Sequence, residues 1–501
     1  MEPADLSSVV LVGSAVLLAA VAAVRVSTRA GLPSLLVYLA IGLALGESGI
    51  GLPFEDADLT QVLGTFALAV ILAEGGFTTQ WSVIRPVAPL AAVLATVGVF
   101  VSVAVTSGLV WLVLDVDVRT AIVLGAVASS TDAAAVFSVL RQLPIRGRLR
   151  ATVEAESGFN DPPVIILVTV VTSDAWDRTG VVGIAGEIGY QLLAGVLVGG
   201  LVAAAGVRLL ARSALPASGL YPLATLAIAF LAFATAGLAG ASPLMAIYVA
   251  GLVLGNAHLP HRRATDSFVE GLAWLAQIGL FVLLGLLASP DRLLEALPTA
   301  LVVGAALTLV ARPLSVAVCA TPFGMAWRDQ AFVSWAGLRG AVPIVLATIP
   351  MSVGLPGAER IFDVVFLLVV LFTLLQGPTL PWVARVTGAA EPVNARDVGI
   401  DSAPLDDLDA MLLQFTVPAE SRLAGVEVRE LRLPRGAVLS LLLREGELFV
   451  PNERTALRAG DHALVASARV HRSEIERRLR RVSRDGRLAE WYAAIGRGAD
   501  S

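Results

Sequence analysis

Thirteen apolar stretches divide the chain between residues 8 and 387, near 8–26, 32–49, 60–78, 87–114, 119–140, 151–173, 181–211, 220–240, 243–256, 266–288, 297–320, 329–350 and 359–387. About 20 apolar residues match one crossing of a bilayer core. In hydrocarbon every backbone N–H and C=O must be satisfied within its own segment, so helices are the form open to such stretches. Composition agrees, with 56% hydrophobic and 15% charged residues against roughly 25% charge in a soluble chain. The expected fold is an all-α polytopic membrane protein with about thirteen transmembrane helices. The first stretch follows MEPADLSSVV, acidic where a signal peptide is basic, and is expected to stay as an anchor.

An odd number of crossings puts the termini on opposite sides. Alternate loops carry Arg25 and Arg29, Arg85, Arg141 to Arg150, Arg208 and Arg212, Arg262 and Arg263, and Arg328. Basic loops face the cytoplasm. The opposite loops hold Glu55, Asp56 and Asp58, Asp115 and Asp117, Asp174 and Asp177, and Asp291. The expected location is the plasma membrane, with the N-terminus outside and the C-terminal part cytoplasmic.

Two segments are interrupted at corresponding places, GAVASSTDAAAV (125–136) and SWAGLRGAVPIV (334–345). Paired broken segments point to an inverted repeat with a site at the midplane. Small residues, as in LLAGVLVGGLVAAAG (192–206), favour close helix packing. Residues 1–389 are thus read as one transmembrane domain and 390–409 as an acidic linker. A small α/β domain is expected over 410–481, with strands near 415–419, 437–444, 447–451 and 462–468. Residues 482–501 are read as a tail with a short helix.

Charged groups at membrane depth need a partner or a purpose. In ESGFNDPP, Glu156 and Asn160 lie four apart, as do Ser157 and Asp161, on adjoining helix faces. If the helix runs through Pro162 and Pro163, the carbonyls of Gly158 and Phe159 lose their donors. Ser129, Ser130, Thr131 and Asp132 interrupt the fifth segment, where an unwound turn presents the Thr131 carbonyl with the Asp132 carboxylate. Glu74 ends FALAVILAEGG. Such a set supplies the charged and neutral oxygens a hard monovalent cation needs. All four histidines lie in loops or the C-terminal part, which disfavours a transition-metal site, and no basic tract suggests nucleic acid. Arg339, in GLRGAV, is expected to pair with Glu156, leaving Asp132 and Asp161 for the ion. Arg312, in VARPL, either pairs in a similar way or reaches the cytoplasmic interface.

Taken together, TDAAAVFS, ESGFNDPP and GLRGAVP make the chain resemble the monovalent cation/proton antiporters, in their electroneutral NhaP-like branch. That resemblance implies a thirteen-helix inverted repeat in which the fifth and twelfth helices cross at unwound stretches, and a homodimer. It implies that Asp132 and Asp161 bind cation and proton, that Ser157, Glu74 and the Thr131 main chain add ligands, that Asn160 orients the site, and that the Glu156–Arg339 pair holds the core. Electrogenic relatives carry Asp where this chain has Asn160, so 1:1 exchange is implied. Residues 425–467 resemble the C-terminal half of the RCK domain, also called TrkA-C, which favours K⁺ over Na⁺ and allows a small-molecule regulator. No Gly-x-Gly-x-x-Gly unit accompanies it, and no cofactor is expected.

Two rival readings fare worse. A channel or a non-transporting sensor would leave the paired breaks without use, and no filter-like repeat is present. An intramembrane aspartyl protease lacks its Gly-x-Gly-Asp setting and gives Asn160 and Arg339 no role.

Overall fold

The computed structural model describes residues 3–30, 33–46, 49, 51, 56–132, 135–136, 140, 143–173, 176, 180–257, 259–391, 400–405 and 410–486. They belong to two compact units, Met1–Glu391 and Pro392–Ser501. Glu55, Asp174, Asp177 and His258, used above in reading the loops, lie outside the described residues, as does the tail from residue 487 on.

The first unit is helical. In chain order it contains α1 (Pro3–Ala30), α2 (Ser34–Leu45), α3 (Ala57–Thr78), α4 (Ala88–Val113), α5 (Val118–Ser129), α6 (Gly147–Phe159), α7 (Asp161–Thr172) and α8 (Val181–Arg212). There follow α9 (Leu220–Leu238), α10 (Pro243–Asn256), α11 (Arg262–Leu287), α12 (Pro290–Phe323), α13 (Trp327–Ala336), α14 (Ala341–Ser352) and α15 (Ala358–Thr387). Against the thirteen expected crossings, seven described helices are individually long and apolar enough to span, and an eighth span results if the bent pair α13/α14 counts as one. Four apolar helices are shorter. The segment at 151–173 is split, because α6 stops at Phe159 and α7 starts at Asp161. This is a multi-span membrane protein.

Local chemistry explains several boundaries. Asp117 accepts the Thr120 N–H at 2.9 Å and starts α5. At its other end Ser129 turns its hydroxyl back onto the Gly125 carbonyl at 2.6 Å, the local competition that makes serine a poor helix interior residue. α4 and α12 each contain a π-helical turn, at Leu94–Gly98 and Ala306–Ala311. Such a turn admits an extra residue and re-aims the side chains after it. Arg312 follows the second one directly.

Among its described residues the second unit has a five-stranded antiparallel sheet and one α-helix. β1 (Ile400–Leu405), β2 (Ala410–Thr416), β3 (Val438–Arg444), β4 (Glu447–Phe449) and β5 (His462–Ala468) lie in the order β1-β2-β5-β3-β4. Met411, Leu413 and Phe415 alternate inward on β2 and pack with Leu442, Val465 and, from α16 (Arg472–Asp485), Ile475, Leu479 and Val482. Two expectations shift. The strand expected at 415–419 ends at Thr416 and begins at Ala410, since the inward alternation starts with Met411 and Pro418 has no N–H to continue a ladder. The stretch read as linker over 390–409 contains β1, paired with β2 from Ile400↔Phe415 to Leu405↔Ala410. The REGE turn holds Glu445 and Gly446 at φ 51° and 87°, the two positive values a tight hairpin between β3 and β4 requires.

Candidate functional site

Both expected interruptions are present, and they are bonded to each other. α5 stops at Ser129 and Ser130 continues in extended backbone, φ −65° and ψ 141°. α13 stops at Ala336, α14 restarts at Ala341, and the halves are bent by 55°. The Asp132 N–H donates to the Leu338 carbonyl at 3.0 Å, and the Ala341 N–H donates to Asp132 Oδ2 at 2.7 Å. The Asp132 carboxylate therefore stands at the N-terminus of α14, where unsatisfied N–H groups and the helix dipole favour negative charge. Gly340 makes this approach possible, because a β-carbon there would sit 2.0 Å from Asp132 Oδ2.

The α6/α7 break supplies the opposite wall. Glu156, Ser157 and Asn160 are completely buried and Asp161 nearly so. The helix does not run through the prolines unbroken. It breaks at Asn160, and Pro162 and Pro163 fall in the first turn of α7, where a missing N–H costs nothing. Asn160 Nδ2 donates to Thr131 Oγ1 at 2.5 Å, Thr131 Oγ1 to Ser157 Oγ at 3.1 Å, and Ser130 Oγ to Asp161 Oδ1 at 2.7 Å. Asn160 Oδ1 has no hydrogen-bond partner and remains available as a neutral ligand. Thus Asp132, Asp161, Ser157, Thr131 and Asn160 form one neighbourhood across two chain breaks. Ser130, singled out in the sequence only as part of the interruption, joins it through Asp161. Glu74 stands half-buried near the end of α3, its carbonyl accepting the Thr78 hydroxyl at 3.0 Å.

The ion pair is corrected. Glu156 is held by Arg312, not Arg339: Nη1 and Nη2 of Arg312 donate to Oε1 and Oε2, both at 2.6 Å. Arg312 arrives from the π-helical turn of α12 and passes over Gly337, where a β-carbon would lie 2.9 Å from its Nε. Arg339 is kept at home by its own turn. Its Nη1 donates to the Gly337 carbonyl at 2.7 Å and to Gln376 Oε1 at 3.3 Å, while its carbonyl accepts the Thr373 hydroxyl at 2.8 Å. Thr373 and Gln376 escaped the sequence reading, although two polar residues in the apolar run of α15 were a visible signal.

Comparison with known proteins fits this geometry. Residues 16–386 match the family model described as sodium/hydrogen exchanger, transmembrane. The chain belongs to the sodium/hydrogen exchanger family. It is a secondary transporter, a cation/proton antiporter, and its residues 412–480 match the TrkA-C domain. The chain is 32% identical over 478 residues to the K(+)/H(+) antiporter NhaP2 of Shewanella oneidensis, covering 92% of this chain and 81% of that one. It is 33% identical over 476 residues to the K(+)/H(+) antiporter NhaP of Alkalimonas amylolytica, covering 93% and 82%. Among solved structures, the sodium proton antiporter MjNhaP1 from Methanocaldococcus jannaschii shares the fold, with a TM-score of 0.66 and 20% identity over 76% of this chain and 98% of that one.

Proposed function

We propose that this antiporter exchanges K⁺ for H⁺, one for one, at Asp132 and Asp161. The observation that carries the reading is the juxtaposition of these two buried carboxylates at bonded helix breaks, among neutral oxygens from Ser130, Thr131, Ser157 and Asn160. A carboxylate at membrane depth is costly unless its charge is compensated. One cation or one proton can neutralise one carboxylate charge of the site, and if the site moves only with that charge compensated, exchange is obligatory and alternating access needs one rigid movement of the site helices. Asn160 in place of a third acid supports electroneutral exchange. The K⁺ assignment is supported by the names of the two bacterial relatives and by the TrkA-C domain.

In this reading Glu74 lines the approach to the site, and the thirteen stretches cross the plasma membrane as an inverted repeat, with the two π-turn helices α4 and α12 as repeat mates. The C-terminal domain lies in the cytoplasm and takes a small-molecule regulator, and the protein works as a homodimer. The test uses purified protein in liposomes with an imposed pH gradient, a pH dye inside and an ionophore clamping the voltage. Dissipation by K⁺ well above Na⁺ is expected. Dissipation by Na⁺ alone would keep the site and overturn the substrate, and no response to either ion would overturn exchange itself.

A further inference from the structure

Another buried acid of the membrane unit lies outside the site described above. Asp363, in the first turns of α15, has a side chain 3% exposed, and its Oδ2 accepts from Arg292 Nε at 3.1 Å. Its Oδ1 has no hydrogen-bond partner. Arg292, 43% exposed, also reaches Glu359 at 3.4 Å. These three residues, with Glu295 and Arg360 as the remaining charged groups, line a cavity of about 770 Å³ that is closed on one flank by Met351 and Leu355.

The position of this cavity follows from the two helices that bound it. α14 begins at Ala341, whose N–H holds Asp132, and ends at Ser352 beside the cavity. α15 runs from Asp363 at the cavity to Thr373, which binds the Arg339 carbonyl. Either path covers about 15 Å at 1.5 Å per residue. The intervening Val345, Phe366, Val369 and Phe372 are buried. The cavity thus lies about 15 Å along both helices from the backbone that holds Asp132 and Arg339, with buried apolar side chains on the intervening turns, at the end of α15 opposite Ala389.

We infer that Asp363 is a second binding site for the transported monovalent cation, a staging position in this cavity, with Arg292 as the resident counter-charge that an arriving cation displaces. The inference rests on the exchange reading above. A buried carboxylate oxygen without a donor is an acceptor waiting for one, and a half-exposed arginine shared between two carboxylates is held weakly enough to leave. Full-length wild type, Asp363→Asn and Arg292→Gln are compared in right-side-out and everted membrane vesicles, reading proton movement against K⁺ concentration at each face, with Na⁺ used instead if wild type responds to that ion alone. Asp363→Asn is expected to raise the half-saturating cation concentration about fivefold at the cavity face only, with the maximal rate kept, as loss of one nearby charge implies. Arg292→Gln is expected to lower it at the same face. Equal shifts at both faces, no shift, or a uniform loss of rate would overturn the inference and leave the pair a simple staple between α12 and α15. A wild type silent to both ions would remove the exchange reading and this inference with it.

Discussion

Among the described residues, each unit of this protein holds a bidentate arginine–carboxylate pair, and the two are built differently. In the membrane unit Arg312 and Glu156 are 4% and 0% exposed, and Arg312 Nε finds no acceptor. In the C-terminal unit Arg444 binds Asp461 at 2.9 and 2.7 Å, is 19% exposed, also donates to the Ala456 carbonyl, and lies over the Phe449 ring. Asp461 gains a further bond from the Arg458 N–H at 2.7 Å. Burial pushes the Asp461 carboxyl up, but the Arg444 guanidinium and the Arg458 N–H outweigh it and hold the group below the usual carboxylate range. Where water is near, surplus donors and solvent share the charge. Where it is absent, one bidentate bond has to balance it alone, so the membrane pair fixes geometry more than it adds stability.

The two carboxylates of the exchange site give the largest test of that contrast. Asp132 and Asp161 accept from the neutral Ala341 N–H and Ser130 hydroxyl, so Asp132→Asn or Asp161→Asn should reduce exchange to background while the melting temperature in detergent changes little. Normal exchange by either variant would sink the assignment. Next in size, Glu156→Gln strands the Arg312 charge and should cost about 3–5 kcal/mol, measured by thermal unfolding in detergent. Glu156→Leu with Arg312→Met should recover much of the loss, and an unrepaired double variant would break the comparison.

Asp461→Asn should cost about 1–3 kcal/mol, visible as faster hydrogen exchange in β3 and β5. The sign of its pH dependence follows from the lowered carboxyl. The contribution is present above the unfolded pKa of about 3.9 and is lost as pH falls through the lower folded value. Protection of β5 should therefore persist at pH 5 and fall only in stronger acid; loss between pH 7 and 5 would contradict the assigned bonds. Smallest is Asp117→Ala, which removes the α5 cap and should cost about 1 kcal/mol with exchange intact. The Thr120 hydrogen bonds hold this carboxyl low despite slight opposing burial, so the cap should also survive mild acid.

Much of this was legible in the chain. Apolar length marked the membrane unit, and the polar residues within it marked the breaks, because hydrocarbon tolerates neither charge nor free backbone without a reason. Period-two alternation marked β2, although its start was misplaced by the turn-rich stretch before it. The partner of Glu156 was not legible. Both Arg312 and Arg339 stand in apolar segments and the sequence pointed to Arg339; only the π-helical turn of α12, the missing side chain of Gly337 and the short reach from Arg339 to its own turn decide for Arg312. Thr373 and Gln376, and the bond from Ser130 to Asp161, escaped for a related reason, since hydroxyls and amides are common in helices and gain meaning only from what they face.

By itself, then, the sequence determined the membrane-spanning class, the TrkA-C appendage and the residue types at the site, because hydrophobic length and turn chemistry are local properties. The tertiary structure decided which arginine neutralises Glu156, that Asp132 caps α14, and that Asp363 lines a cavity. Those are distances between remote segments, set by packing across the whole bundle.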